Sequence, residues 1–223
     1  LEPGASYFGD GSAGTVIVGS NGPVEKGLVS YYPLDEAGGS VIHDRQGPFN
    51  GKFETFMNPP KPRWQRSGIL GGAMEFAEPG VSARLPGAKI AGDFSVSFWL
   101  RTSKSDEPLI LGTFDLFLCQ GIPKLIFGGW PMTIKDCPRL DDGSWHHLAF
   151  VWDQSGGKRA MSLFADGNLA GTGTGPGEGS FEGFALGMSN QPIPEPKCFI
   201  GSFDEIRVYN RRLSPEEVKI LTD

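Results

Sequence analysis

The stretch GSFDEIRVYNRRLSPEEV, Gly201 to Val218, carries the reading of the fold. Phe203, Ile206, Val208 and Tyr209 are set against Ser202, Glu205 and Arg207, the alternation of a strand with one apolar face. A helix start follows at once: Ser214 suits the N-cap, Pro215 the first helical position, and Glu217 completes a capping box. The acidic pair Asp204-Glu205 interrupts the strand. On a regular strand its two carboxylates face opposite sides.

Working back from this end, strand-like runs recur about every ten residues between turn signals. They are LVSYYPL (28–34), GAMEFAE (72–78), VSARLP (81–86), FSVSFWLRT (94–102), LILGTFDLFL (109–118), KLIFGG (124–129), WHHLAFVWD (145–153), AMSLFADG (160–167), FEGFALGM (181–188) and CFIGSFDEIRVYN (198–210). In FSVSFWLRT, Phe94, Val96, Phe98 and Leu100 share one face, and Ser95, Ser97, Trp99 and Arg101 the other. Asp166-Gly167 marks a hairpin turn. The run from Leu1 to Gly27 is glycine-rich with one strand-like piece, Thr15 to Val18, and reads as a leader or linker (1–27) before a compact domain (28–223).

Composition agrees. The 223 residues include 33 Gly, 18 Pro and 16 Phe, which favours many short strands joined by turns. Without βαβ spacing, the expectation is an all-β fold: a two-sheet antiparallel jelly-roll sandwich with one short C-terminal helix. The net charge of -6 and scattered Lys and Arg leave no basic footprint for nucleic acid. No apolar run is long enough to span a membrane. The chain begins at Leu1 rather than Met, which reads as a processed terminus or a piece of a longer protein.

Five segments in order resemble the LamG-like (laminin-G-like) jelly-roll domains of the concanavalin A-like lectin/glucanase superfamily. They are LVSYYPLDEAGGSVIHDRQGPFNGKF, GILGGAMEFAEPGVSARLP, FSVSFWLRT, DDGSWHHLAFVWDQSGGKRAMSLFADGNLAG and FIGSFDEIRVYNRRLSPEEV, and together they cover residues 28–221. The resemblance implies two curved sheets, a glycan-binding face or rim, and often a bound calcium. Relatives include lectins, adhesion modules and polysaccharide-cleaving enzymes, so the fold leaves the function open.

Cleavage of a glycosidic bond by two carboxylates needs them about 5–5.5 Å apart for retention, as alternate strand positions provide. Only adjacent pairs occur: Asp35-Glu36, Asp106-Glu107, Asp141-Asp142 and Asp204-Glu205. No catalytic residue is assigned, and the chain reads as a non-enzyme. His146 and His147 in SWHHLAFVWD lack HxH or HExxH spacing, which excludes a recognisable zinc motif.

Calcium is the metal the sequence favours, since it takes carboxylates mixed with loop carbonyls. LDEAGG offers both, and a jelly roll can set its first and last strands side by side. By resemblance Asp204 is the first candidate ligand, then Asp35, with the carbonyl of Gly38 or Gly39. The alternative is that Asp204 or Glu205 takes backbone N–H bonds or pairs with Arg207. Trp64 and Trp130 lie in loop-like contexts and are the candidate sugar-stacking residues, with the Pro-rich stretch 188–197 as a rim. Cys119 and Cys137 flank a strand-turn-strand unit, where a bridge would stabilise by roughly 3 kcal/mol; three unlinked thiols is the open alternative.

The resulting expectation is a carbohydrate-binding module of a larger secreted, periplasmic or cell-surface protein, monomeric, with a glycan or a cell-surface protein as partner. A protein-interaction or structural domain is the alternative, and a polysaccharide-cleaving enzyme the third.

Overall fold

The computed structural model describes residues 24–55, 63–175, 177–187 and 198–223. The strand expected at Thr15 to Val18 and the rim expected at 188–197 lie outside them. The strands are β1 (Leu28–Tyr32), β2 (Val41–Ile42), β3 (Gly51–Thr55), β4 (Arg63–Gln65), β5 (Ala73–Phe76), β6 (Val81–Ala91), β7 (Phe94–Arg101), β8 (Pro108–Gly112) and β9 (Phe114–Cys119). They continue as β10 (Ile122–Phe127), β11 (Trp130–Pro131), β12 (Thr133–Ile134), β13 (Trp145–Asp153), β14 (Ala160–Ala165), β15 (Asn168–Thr174), β16 (Ser180–Leu186) and β17 (Gly201–Tyr209), before helix α1 (Pro215–Ile220).

The strands form two antiparallel sheets. The first runs β12-β15-β14-β13-β7-β17-β5-β4, with β1 also paired to β17; the second runs β11-β10-β9-β8-β16-β6-β3-β2. This is the all-β sandwich expected from the sequence. Each path ends in strands of only two or three residues, β12, β4, β11 and β2. Such short edges give a stranger's strand little to pair with.

Phenylalanine fills the space between the sheets. Phe94 and Phe150 of the first sheet meet Phe114, Phe127 and Phe181 of the second, all buried. The Phe114 and Phe150 rings are 4.6 Å apart, and Phe94 lies 5.6 Å from Phe181 and 5.8 Å from Phe127. Tilted and edge-on pairs of this kind add to the gain from removing the rings from water.

The outer face of the first sheet is covered at one end. Ser95 Oγ donates to the Arg211 carbonyl and accepts from Leu213 N–H, pulling the C-terminal segment over β7. Beneath α1, Ala149, Val151, Phe164, Tyr209, Leu213 and Val218 form a second, smaller apolar cluster. The expected capping box is present: Glu217 N–H donates to Ser214 Oγ, and Ser214 N–H to Glu217 Oε2. Among the described residues no helix is long and apolar enough to cross a membrane.

Local reading holds best where one face is buried. WHHLAFVWD is β13 with the expected bounds, and Asp166-Gly167 turns β14 into β15 with positive φ at both residues. LILGTFDLFL instead divides into β8 and β9, with Gly112 (φ 145°) and Thr113 between them. A Cβ on Gly112 would meet the Gly183 carbonyl at 2.9 Å, so β8 can approach β16 there only with glycine.

Phe203 is fully buried against Phe199 (4.6 Å), Phe76 and Phe98 (5.7 Å each). Phe203→Ala is expected to cost about 3–5 kcal/mol in denaturant unfolding, against about 1 kcal/mol for the cap variant Ser214→Ala. Equal losses in the two variants would contradict the assignment of Phe203 to the core.

Candidate functional site

β17 lies at the centre of the first sheet. Along one edge it pairs with β7; along the other it pairs with β5 through Gly201–Phe203 and with β1 through Ile206–Tyr209. Between these two partners the strand bulges: its register against β7 shifts between Asp204 and Arg207, and Glu205 adopts φ 54°. Phe203, Ile206 and Val208 all enter the core, three and then two residues apart. The extra residue therefore turns Asp204 and Glu205 to the same outer face. This corrects the expectation that they face opposite sides, which assumed a regular strand.

The first and last strands lie side by side as expected, and Asp35, just after the first, and Asp204, on the last, both reach the loop between β4 and β5. Asp204 is fully buried; its Oδ2 accepts from Ile69 N–H (2.6 Å) and Leu70 N–H (3.4 Å), and its Oδ1 from Glu205 N–H (2.8 Å). Asp35 Oδ1 accepts from Gly72 N–H at 2.5 Å. Together they clamp the loop between β4 and β5. Glu205 takes the Tyr31 hydroxyl (2.8 and 3.0 Å) and an ion pair with Arg207, whose guanidinium stacks 4.6 Å from the Tyr31 ring.

This donor set does not fit calcium. Both Asp204 oxygens and Asp35 Oδ1 receive N–H donors, which present positive ends where a cation would have to stand. The Gly39 carbonyl accepts from Trp64 Nε1 (3.2 Å). Among the described residues no group of three or more His, Cys, Asp or Glu is arranged to hold a metal. The alternative reading, backbone bonds for Asp204 and Arg207 for Glu205, matches the geometry.

The two candidate tryptophans divide. Trp64 is on strand β4 rather than in a loop, half-buried, packed edge-on to Phe53 at 5.5 Å. Trp64 lies opposite Met74, which pairs with Phe203, so the register turns it toward the core. Trp130, on edge strand β11, is 50% exposed. The expected bridge is not present: Cys119 and Cys137 are both thiols. Burial alternates along β9, placing Cys119 with Asp115 and Phe117 on its outer side, whereas Cys137 packs against the core.

The histidines serve the fold. His146 Nδ1 lies 2.8 Å from Asp166 Oδ2 and Nε2 3.1 Å from Asp142 Oδ1, holding the hairpin tip against β13. His147 is buried edge-on to Trp99 (5.3 Å), and burial pushes its pKa down to about 3.

Beyond the clamp the outer face of the first sheet carries an open row that the sequence reading had not assembled. Cross-strand pairing aligns Trp145 with Arg101, Arg101 with Ser202, Ser202 with Glu75 and Glu75 with Arg63. Opposite residues in antiparallel sheets share a face, so all five point outward. The Arg101 guanidinium stacks 4.8 Å from the Trp145 ring and donates to Gln65 Oε1 (2.7 Å), which also accepts from Ser202 Oγ (3.4 Å). Gln65 reaches this point across Ala73, its small partner on β5. Trp145, Arg101, Gln65 and Glu75 are half-buried: ordered yet accessible. The signal for this row was the face shared by Trp99 and Arg101 in FSVSFWLRT; what was missing was the register of β4 and β5.

A family model described as the concanavalin A-like lectin/glucanases superfamily, a laminin G model, matches residues 79–219. A Rattus norvegicus relative, "Sushi, von Willebrand factor type A, EGF and pentraxin domain-containing protein 1", is 30% identical over 147 residues, 56% of this chain and 4% of that protein. The chain thus spans a small fraction of that relative. Domain 4 of AbnA, a GH43 extracellular arabinanase from Geobacillus stearothermophilus solved with arabinotriose, superposes with TM-score 0.64 at 23% identity, over 88% of this chain and 98% of that one. The binding domain of botulinum neurotoxin serotype C1 gives TM-score 0.66 at 10% identity, over 89% and 52%. At these identities the two structures share a fold with the chain.

Burial pushes Glu107 up to about pKa 7, against the Ile200 N–H and Thr102 hydroxyl it accepts. Burial does the same for Asp204, to about 7, with the Glu205 charge adding and the Ile69 N–H opposing. A carboxyl that keeps its proton longer when folded stabilises the fold most below its unfolded pKa of about 4, and that contribution is lost as pH rises through the folded value. Unfolding free energy is therefore expected to carry a term that falls between about pH 4 and pH 7. Glu107→Gln should flatten that fall, and an unchanged slope in the variant would remove Glu107 from the account. Because both Asp204 oxygens and Asp35 Oδ1 already hold N–H donors, EDTA and added calcium should both leave the thermal midpoint unchanged; a drop with EDTA would overturn this.

Proposed function

We propose that this chain, which belongs to the concanavalin A-like lectin/glucanase superfamily, is a non-catalytic carbohydrate-binding module of a larger secreted or cell-surface protein. The observation that carries the reading is the outward row of Trp145, Arg101, Gln65 and Glu75 on the open part of the first sheet. Sugars are bound by aromatic faces flanked by a few fixed donors and acceptors, and the row supplies both. Trp130, half exposed at the edge of the second sheet, is a second stacking candidate.

Catalysis is disfavoured because the adjacent acid pairs are committed to structure. Asp204 and Glu205 hold the clamp and Arg207. Asp106 accepts from Gln120 N–H, and Glu107 from Ile200 N–H. Asp141 pairs with Arg139, Asp142 with His146, and Glu36 with His43. A module placed outside the cytoplasm agrees with its likeness to a domain of an extracellular arabinanase that holds arabinotriose. One observation favours a protein partner instead: Ile69 and Leu70, 40% and 60% exposed, project from the clamped loop.

A panel of neutral and acidic polysaccharides tests the reading on the full chain. Binding is expected, weakened about tenfold or more in Trp145→Ala with its thermal midpoint close to wild type. No binding to any glycan would overturn it in favour of the protein-interaction reading.

A further inference from the structure

Arg101 is the one half-buried arginine among the described residues without a carboxylate. Arg207 has Glu205 and Arg211 has Glu217, each as an ion pair. Arg101 has an indole beneath it and Gln65 beside it, and no ion pair. A guanidinium carries five N–H donors in a rigid fork, and Gln65 takes one of them. The remaining donors project from a plane already held still by Trp145. Ordering a long side chain normally opposes binding, and here much of that ordering precedes the ligand. A fixed fork with its carboxylate missing is complementary to a carboxylate supplied from outside.

The rest of the row gives the ligand its shape. Glu75 lies two strands from Arg101, roughly 9–10 Å away at normal strand spacing, with Ser202 between them. An acid group at Arg101 and a hydroxyl at Glu75 are therefore separated by about the length of a disaccharide, and a carboxylate at Arg101 stays clear of the Glu75 charge. Arg66, exposed and next in sequence to Gln65, adds a positive charge near that residue in the chain and has no ion pair among the described residues. These features are local, for the chain as a whole carries -6.

We infer that the glycan taken by this face is an acidic one, a hexuronate- or sialate-bearing oligosaccharide, and that Arg101 reads its carboxylate. The inference rests on the carbohydrate-binding reading and specifies the sugar class. The acid group sits in the Arg101 fork, the Gln65 amide N–H donates to a neighbouring oxygen, and Glu75 accepts from a hydroxyl of the next ring. Because the contact is charge-assisted, added salt weakens binding of the acid ligand more than that of any neutral one.

The test compares trigalacturonate and sialyllactose with trigalacturonate methyl ester and lactose, by calorimetric titration of the full chain. At least one acid oligosaccharide is expected to bind, and its neutral counterpart about tenfold or more weakly. Arg101→Ala should abolish that difference, whereas Arg101→Lys should keep part of it by charge without the fork. The ester and lactose arms use the unaltered protein, so the comparison stands even if a variant at Arg101 folds poorly. Equal binding of acid and neutral ligands overturns this inference and leaves the carbohydrate-binding reading intact. Binding of none of the four also overturns this inference, while the polysaccharide panel separately decides the carbohydrate-binding reading.

Discussion

The bulge at Asp204-Glu205 is the constraint on which the first sheet depends. A central strand has two edges to satisfy, and β17 meets two different strands along one of them, β5 and then β1. Neither strand spans the change-over, so backbone donors of the loop between β4 and β5 would be left without partners. The bulge puts a carboxylate at that point, and Asp204 takes the Ile69 and Leu70 N–H groups. Glu205 stands at φ 54°, a conformation that costs a non-glycine residue on the order of 1–2 kcal/mol. The hydrogen bonds accepted by the two carboxyl groups offset that cost, since each satisfies a donor that would otherwise lack a partner.

The same device recurs across the molecule. Asp35 holds Gly72, Asp44 takes the N–H groups of Tyr31, Gln46 and Gly47, and Glu107 holds Ile200. Asp166 receives His147 N–H while its other oxygen lies against His146. Jelly-roll connections leave many loop N–H groups outside any ladder, and a buried donor without a partner costs more than a typical hydrogen bond returns. Carboxylates are the means used here to satisfy them. That explains why a chain with 26 acidic residues can present adjacent acid pairs and still lack a free dyad among the described residues. It also explains why aspartates that resemble metal ligands in sequence serve as acceptors.

The outer face of the first sheet is divided by the same geometry. The C-terminal segment and α1 cover the rows carrying Ala149, Ser95, Val151 and Tyr209. The row carrying Trp145, Arg101 and Glu75 lies beyond the clamp, and these side chains stay half-exposed. Arg101 could not be stacked and left without a carboxylate in the covered half, where desolvating an unpaired charge is prohibitive. Half-burial against one indole orders the group while leaving its donors in water, the condition a binding residue requires.

The amino-acid sequence alone determined the class of fold, the bounds of β13, the inward face of FSVSFWLRT, the Asp166-Gly167 hairpin and the cap at Ser214. Each depends on period or on turn chemistry within a few residues, so neighbours in sequence suffice to specify it. The tertiary structure decided where Asp204, Glu205, Trp64, Cys119 and Arg101 point. A single inserted residue in β17 reverses the side-chain phase, and no glycine or proline announces it, because Glu205 itself takes the left-handed conformation. Trp64 looks like a loop residue until β4 pairs with β5, and Arg101 gains its surroundings only from Trp145 and Gln65, both far from it along the chain. Which side chains share a face is local; which strands lie beside them is settled only by long-range register, and the open row exists only there.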